Sequence, residues 1–233
     1  MPLPVEWLPA SGAPEQLILL LHGWRGDASH MLPLAQALRG AFPQAAILAP
    51  DGPSPGDGTT PQRARGRQWY AVTGLVFDDA GMKLWAERVQ ACVPGLVHWV
   101  RAQQRRLNVG AAATALAGFS QGGIISMAAA LATDGLAGRV LGFGARCLQR
   151  PLEAPQRTTF HLFHGGADEV IAAQGSRDAF RWLADLQGDA TIDIAEGVGH
   201  ELHPALIECA LHRLTHHIPM RTWREALGAV PAN

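Results

Sequence analysis

The feature that most constrains this chain is the hexapeptide Gly118-Phe119-Ser120-Gln121-Gly122-Gly123 and what flanks it. The apolar run Thr114–Phe119 precedes it and reads as a buried strand. The run Gln121–Ala132, rich in small residues, follows at once and reads as a helix. A strand that becomes a helix across one residue needs a very tight turn, so Ser120 is expected in strained dihedrals. Side chains two residues to either side would collide, and Gly118 and Gly122 remove those collisions. Gly123 gives further clearance. Such a turn lifts a serine hydroxyl above the end of a sheet, where a strand-flanked G-x-S-x-G serves as a nucleophile elbow. A pentapeptide match alone is weak. Its flanks are what make it specific.

The rest of the chain supplies a sheet for that turn. Gln16–Leu21 (QLILLL) and Ala45–Ala49 are short apolar runs of the kind buried on both faces of a parallel sheet. Further strands are expected at Val140–Phe143, Thr159–Phe163 and Ala190–Ile194. Helices are expected at Ala28–Arg39 behind an Asp27 cap, at Met82–Arg106 as one helix or two around Pro94, at Ala173–Leu186 and at His203–His217. Strands alternating with helices imply βαβ crossovers and a mostly parallel central sheet with helices on both faces. In such a sheet, reactive groups gather at the carboxyl ends of the strands. The segment Asp51–Arg67, rich in Gly, Pro, Arg and Thr, is long for a loop inside a compact domain.

With 233 residues, 48% of them hydrophobic, residues 1–233 fit one large α/β domain. The formal net charge of -1 sets up no field for nucleic acid or anionic lipid. Arg63, Arg65 and Arg67 are the local exception, read as a solvated loop or, less simply, as a patch for an acidic partner. No apolar run approaches 18 residues and no secretory leader is evident, so a cytoplasmic protein without a membrane span is expected. Cys92, Cys147 and Cys209 are odd in number and lack a CxxC, which fits a reduced compartment. Oligomeric state is not legible; a homodimer stays open.

A serine hydroxyl needs a base, and in this order of elements an acid and then a histidine should follow it. Asp168 lies just past the strand Thr159–Phe163, in His164-Gly165-Gly166-Ala167-Asp168-Glu169. Glu169 competes, but Asp168 is better placed after the glycine pair. His200, in Gly197-Val198-Gly199-His200-Glu201, follows the last strand and is the expected base. His203, His212, His216 and His217 fall on the next helix and are poorer bases. His212 and His216 share a helix face, but His200-Glu201-Leu202-His203 is not the H-E-x-x-H zincin signature, and no metal is expected. Two main-chain donors should face the oxyanion. One is the N–H of Gln121. The other comes from His22-Gly23-Trp24-Arg25-Gly26-Asp27, with Trp24 favoured over Arg25. Trp69, Tyr70, Val72, Leu75 and Phe77 flank the long loop and form an acyl pocket or lid, or simply pack beneath it.

These separated motifs, Leu21-His22-Gly23, Gly118 to Gly123, His164-Gly165 with Asp168, and Gly199-His200, resemble the phospholipase/carboxylesterase family, its small bacterial esterase branch above all. Gly66-Arg67-Gln68-Trp69-Tyr70 is similar to that family's aromatic segment. The resemblance spans about Leu17 to His217. It implies an α/β-hydrolase fold, no cofactor, and hydrolysis of small-molecule carboxylic esters or thioesters, with Ser120, Asp168 and His200 as triad and Trp24 and Gln121 as oxyanion donors. Acyl-protein thioesterase or lysophospholipase activity is the alternative within the family; a non-catalytic binding module is the alternative outside it. The family's early loop usually reads H-G-x-G-D, whereas this chain has H-G-W-R-G-D, one residue longer.

Overall fold

A computed structural model describes residues 4–57, 66–76 and 78–228. Its centre is a seven-stranded sheet in the order β1-β3-β2-β6-β7-β8-β9. The strands are β1 (Val5–Trp7), β2 (Gln16–Leu21), β3 (Ala45–Ala49), then β6 (Thr114–Phe119), β7 (Arg139–Phe143), β8 (Thr159–Gly165) and β9 (Asp189–Ala195). Between β3 and β6 a two-stranded ribbon, β4 (Ser54–Pro55) with β5 (Arg67–Gln68), lies outside the main sheet. Only β1 runs antiparallel; every other pairing in the main sheet is parallel. The mostly parallel sheet, covered by helices on both faces, is the architecture the alternation of strands and helices in the sequence implies.

The helices are α1 (Leu32–Ala41), α2 (Asp79–Leu107), α3 (Gln121–Ala132), α4 (Gln174–Asp185), α5 (Pro204–His216) and α6 (Met220–Gly228). Alternation along β2 shows how the sheet is covered. Leu17, Leu19 and Leu21 join a core with α2, α3 and α4, while Ile18 and Leu20 join a second core with α1 and α5. The inner strands β2, β3 and β6 are thus buried on both faces, which explains their unbroken apolar runs.

Helix ends follow capping chemistry. Asp27 caps a short 3-10 turn ahead of α1 by accepting from the Ser29 N–H. The Asp78 side chain accepts from Gly81 N–H at the start of α2, and Asn108 ends that helix in the left-handed region at φ 53°. Pro94 does not divide α2. His203, expected inside the last helix, instead caps it by accepting from Ala205 N–H, with Pro204 in the first turn.

Among the described residues no helix is long and apolar enough to cross a membrane. Phe77, Arg63 and Arg65 lie outside the described residues. Arg67 lies within them and is structural: its guanidinium donates to the carbonyls of Gly52 and Pro53.

Candidate active site

The turn after β6 has the strain its sequence demands. Ser120 sits at φ 52°, ψ -116°, a conformation that side-chain-bearing residues rarely adopt. A Cβ on Gly118 would fall 2.3 Å from the backbone of Gly122, and one on Gly122 would fall 2.1 Å from the Leu21 carbonyl oxygen. Neither position tolerates any other residue without backbone movement. The Ser120 N–H donates to Phe143 O at 2.8 Å, which ties the turn to the end of β7. The Ser120 hydroxyl caps no backbone group of α3.

Two further loops rise from neighbouring strand ends and are zipped together. Gly166 N–H donates to Ala195 O and Ala167 N–H to Val198 O, joining the loop after β8 to the loop after β9. Their crossing is so close that a Cβ on Gly165 would meet the carbonyl oxygens of Val198 and Gly199 at 2.3 Å. This crossing brings Asp168 beneath His200. The Asp168 carboxylate is buried, and its Oδ2 lies 2.6 Å from His200 Nδ1. A carboxylate only accepts, so Nδ1 carries the proton and Nε2 is left with a free lone pair. The other oxygen, Oδ1, accepts from the N–H groups of Val170 and Ile171, which fixes the carboxylate plane. Glu169, the competing acid, is exposed.

The His200 ring packs on Phe119, centroids 4.8 Å apart, directly beside Ser120 in the chain. It also lies against Gly144, whose φ of 52° and absent Cβ make room for the imidazole. Among the described residues no hydrogen bond closes between Ser120 Oγ and His200. Catalytic hydrogen bonds of unliganded enzymes are often long and tighten only with substrate bound.

Two buried histidines that the sequence reading left without a role organise these loops. His22 lies between the Gly23 carbonyl, 2.7 Å from Nδ1, and the Gly52 N–H, which donates to Nε2 at 2.9 Å. Nε2 must therefore be bare, and burial lowers the pKa of this ring. His164 Nε2 donates to Ile171 O at 2.7 Å and lies 3.1 Å from Asp168 Oδ2; burial again pushes its pKa down. Both were visible as residues, but nothing in their spacing marked them as loop anchors.

The loop after β2 is closed by the backbone bond Gly26 N–H to Gly23 O and tied to β5 by Arg67 N–H to Gly26 O, neither of which uses the Trp24 N–H. Arg25 absorbs the strain at φ 59°. At the start of α3 the Gln121 N–H has no intrahelical acceptor. The Gln121 side chain carries more than sequence suggested: buried, it accepts from Trp69 N–H and donates to Tyr70 O, both at 2.8 Å.

A cavity of about 250 Å³ opens beside Ser120, lined chiefly by Trp24, Tyr70, Leu75, Trp85, Ile124 and Ile171. Tyr70, Val72 and Leu75 thus contribute to a pocket wall, as the sequence allowed. Trp69 does not line it. That side chain is buried behind the pocket, its indole N–H donating to His22 O at 2.8 Å, so it packs beneath the loop instead. His212 and His216 stack at 4.3 Å on α5; among the described residues no group of three or more metal-ligating side chains is assembled.

The family model described as Phospholipase/Carboxylesterase matches residues 8–218. Esterase YpfH of Escherichia coli (strain K12) is 36% identical over 214 residues, which cover 92% of this chain and 88% of that protein. Among solved structures, esterase PE8 superposes with a TM-score of 0.81 at 26% identity, covering 92% of this chain and 98% of that one. The carboxylesterase of Bacillus cereus follows with a TM-score of 0.73 at 16% identity, covering 90% and 91% of the two chains; at that identity the likeness is one of fold.

Proposed function

The chain belongs to the phospholipase/carboxylesterase family and is a carboxylic ester hydrolase, and from that premise we propose that it cleaves soluble esters of short-to-medium acyl chains through an acyl-enzyme on Ser120. His200 is the general base and Asp168 the acid that orients it. The observation that carries this reading is the 2.6 Å contact of His200 Nδ1 with the buried Asp168 carboxylate, which leaves Nε2 unprotonated on a ring packed beside Ser120.

Ser120 Oγ attacks the acyl carbonyl as His200 Nε2 takes its proton, and the carbonyl π pair moves onto oxygen. The N–H groups of Gln121 and Trp24 hold that oxyanion. The tetrahedral intermediate collapses, the bond to the alkoxy group breaks, and His200 returns its proton to the leaving alcohol. Water, losing a proton to His200, attacks the acyl-enzyme and releases the acid with Ser120 restored. Asp168 holds the Nδ1–H tautomer and stabilises the imidazolium.

The cavity beside Ser120 supports the chain-length limit. At about 250 Å³, with apolar walls from Leu75, Trp85, Ile124 and Ile171, it suits an acyl chain of modest length. Hydrolysis of p-nitrophenyl esters with two, four, eight and sixteen acyl carbons tests this, with acyl thioesters run in parallel. Four to eight carbons should give the highest kcat/KM. A preference for sixteen carbons, or for thioesters throughout, would overturn the substrate assignment. The enzyme is proposed to act as one α/β-hydrolase domain in the cytoplasm, alone or as a homodimer and without nucleic acid. Its unpaired cysteines and small net charge support that placement.

A further inference from the structure

Asp57, within the loop Asp51–Arg67, gathers donors from Trp24 and from the Val72–Thr73 turn. Its Oδ1 accepts from the Trp24 indole N–H at 2.9 Å. Its Oδ2 accepts from Val72 N–H at 2.9 Å, from Thr73 N–H at 2.7 Å and from the Thr73 hydroxyl. Its own carbonyl accepts from the Arg25 guanidinium at 2.8 Å. Trp24 and Val72 both line the cavity beside Ser120. One carboxylate thus ties Trp24 to the Val72–Thr73 turn.

The geometry points to Asp57 as a specificity-determining positioning residue, one that fixes the Trp24 indole and the Val72–Thr73 turn as the rim of the acyl pocket. This rests on the acyl-pocket reading above. The loop holding Trp24 is the one that is a residue longer than the usual pattern. The additional length is taken up by Arg25 at φ 59°, whose guanidinium stacks over the Trp24 ring with Cζ 3.8 Å from its centroid. Trp24 is 41% exposed, so packing alone does not hold its indole; Asp57 and Arg25 do. Partial burial pushes the Asp57 carboxyl up, but the hydrogen bonds from Thr73, Trp24 and Val72 outweigh it and leave the group below its ordinary range, ionised and accepting at neutral pH. The Trp24 backbone is closed separately, by Gly26 N–H to Gly23 O and by Arg67 N–H to Gly26 O. Loss of the Asp57 carboxylate therefore frees the rim while the main-chain oxyanion donor keeps its support.

An octanoyl chain extends further along the cavity and makes more contact with its lining than an acetyl group does. Asp57→Asn keeps the shape but turns half the carboxylate into a donor facing other donors. Its kcat/KM on p-nitrophenyl octanoate should fall about tenfold, mostly through KM, and on p-nitrophenyl acetate about twofold. The octanoate-to-acetate ratio thus falls about fivefold. A ratio within twofold of wild type overturns the proposal, and so does an equal loss on both esters, which a merely structural role would give. If Asp57→Asn does not fold, Thr73→Val removes a single donor from an exposed turn and should lower the ratio at least twofold; an unchanged ratio then overturns the proposal. Ser120→Ala separates the levels. Lost turnover there with an unchanged Asp57→Asn ratio rejects the latch alone, whereas retained turnover rejects the active-site reading together with it.

Discussion

Acid should destabilise this protein from about pH 6.5 downward, through histidines that are buried without charge. His161 on β8 is the clearest case. It is fully buried, with Nδ1 2.8 Å from Thr191 Oγ1. Burial first, and then the positive charges of Arg139, His217 and Arg213, push its pKa from 6.5 down to about 2. The folded value is thus below the unfolded one. Above pH 6.5 neither state takes up a proton and the full stability is present. As pH falls below 6.5 the unfolded chain binds a proton that the folded one refuses, and stability is lost until the folded value is reached. With each pKa unit corresponding to 1.36 kcal/mol, His161 alone removes about 1.4 kcal/mol at pH 5.5 and about 2.7 kcal/mol at pH 4.5. Domains of this kind hold roughly 5–15 kcal/mol in all. His22 and His164, lowered in the same direction, add to the loss, and they anchor the loops that follow β2 and β8. The assay is urea unfolding at pH 7.5, 5.5 and 4.5 for wild type and His161→Leu. Packing changes in the variant are the same at every pH and cancel in the difference. Wild type should lose about 1.4 kcal/mol more than the variant on going from pH 7.5 to 5.5. Equal losses in the two proteins would refute the reasoning.

Two further outcomes follow from the site. Gly122→Ala places a Cβ 2.1 Å from the Leu21 carbonyl oxygen, so β2 or α3 must shift by about an ångström, a misplacement that can cost about 100-fold in rate. Esterase assays should show at least that loss; wild-type activity would mean the elbow is less tight than described. Asp168→Asn can present its amide N–H₂ to His200 Nδ1 and so favour the tautomer with Nε2 protonated, which cannot act as base. By the same logic as in the serine proteases, kcat should drop by about 10³–10⁴, read by steady-state kinetics at saturating ester.

The elements easiest to read were those whose burial is uniform. β2, β3, β6 and α3 end where their sequence says, because apolar runs covered on both faces leave no ambiguity of period. The short edge strand Val5–Trp7 and the ribbon of β4 and β5 were missed: three or two residues carry no periodic signal, and their pairing is decided by distant partners. The helix Met220–Gly228 was missed too, although Met220, Trp223 and Leu227 fall at helical spacing; none of its residues is buried. Within the site, Gly118, Ser120, Gly122, Asp168 and His200 stand out by residue type and place. The anchors His22, His164 and Asp57 do not, because their importance lies in contacts to backbone groups up to 30 residues away. Trp69 was misleading for the same reason that aromatic residues often are: its indole suits a pocket wall and a buried hydrogen bond equally well.

The central claim is that Ser120 is the nucleophile, activated by His200. Its most direct test is mass spectrometry of the protein after reaction with a fluorophosphonate probe. One phosphonyl group per chain should appear, on the tryptic peptide that contains Ser120, and labelling should vanish in Ser120→Ala and slow sharply in His200→Ala. Stoichiometric labelling at another residue, or undiminished labelling and ester turnover in Ser120→Ala, would contradict the account.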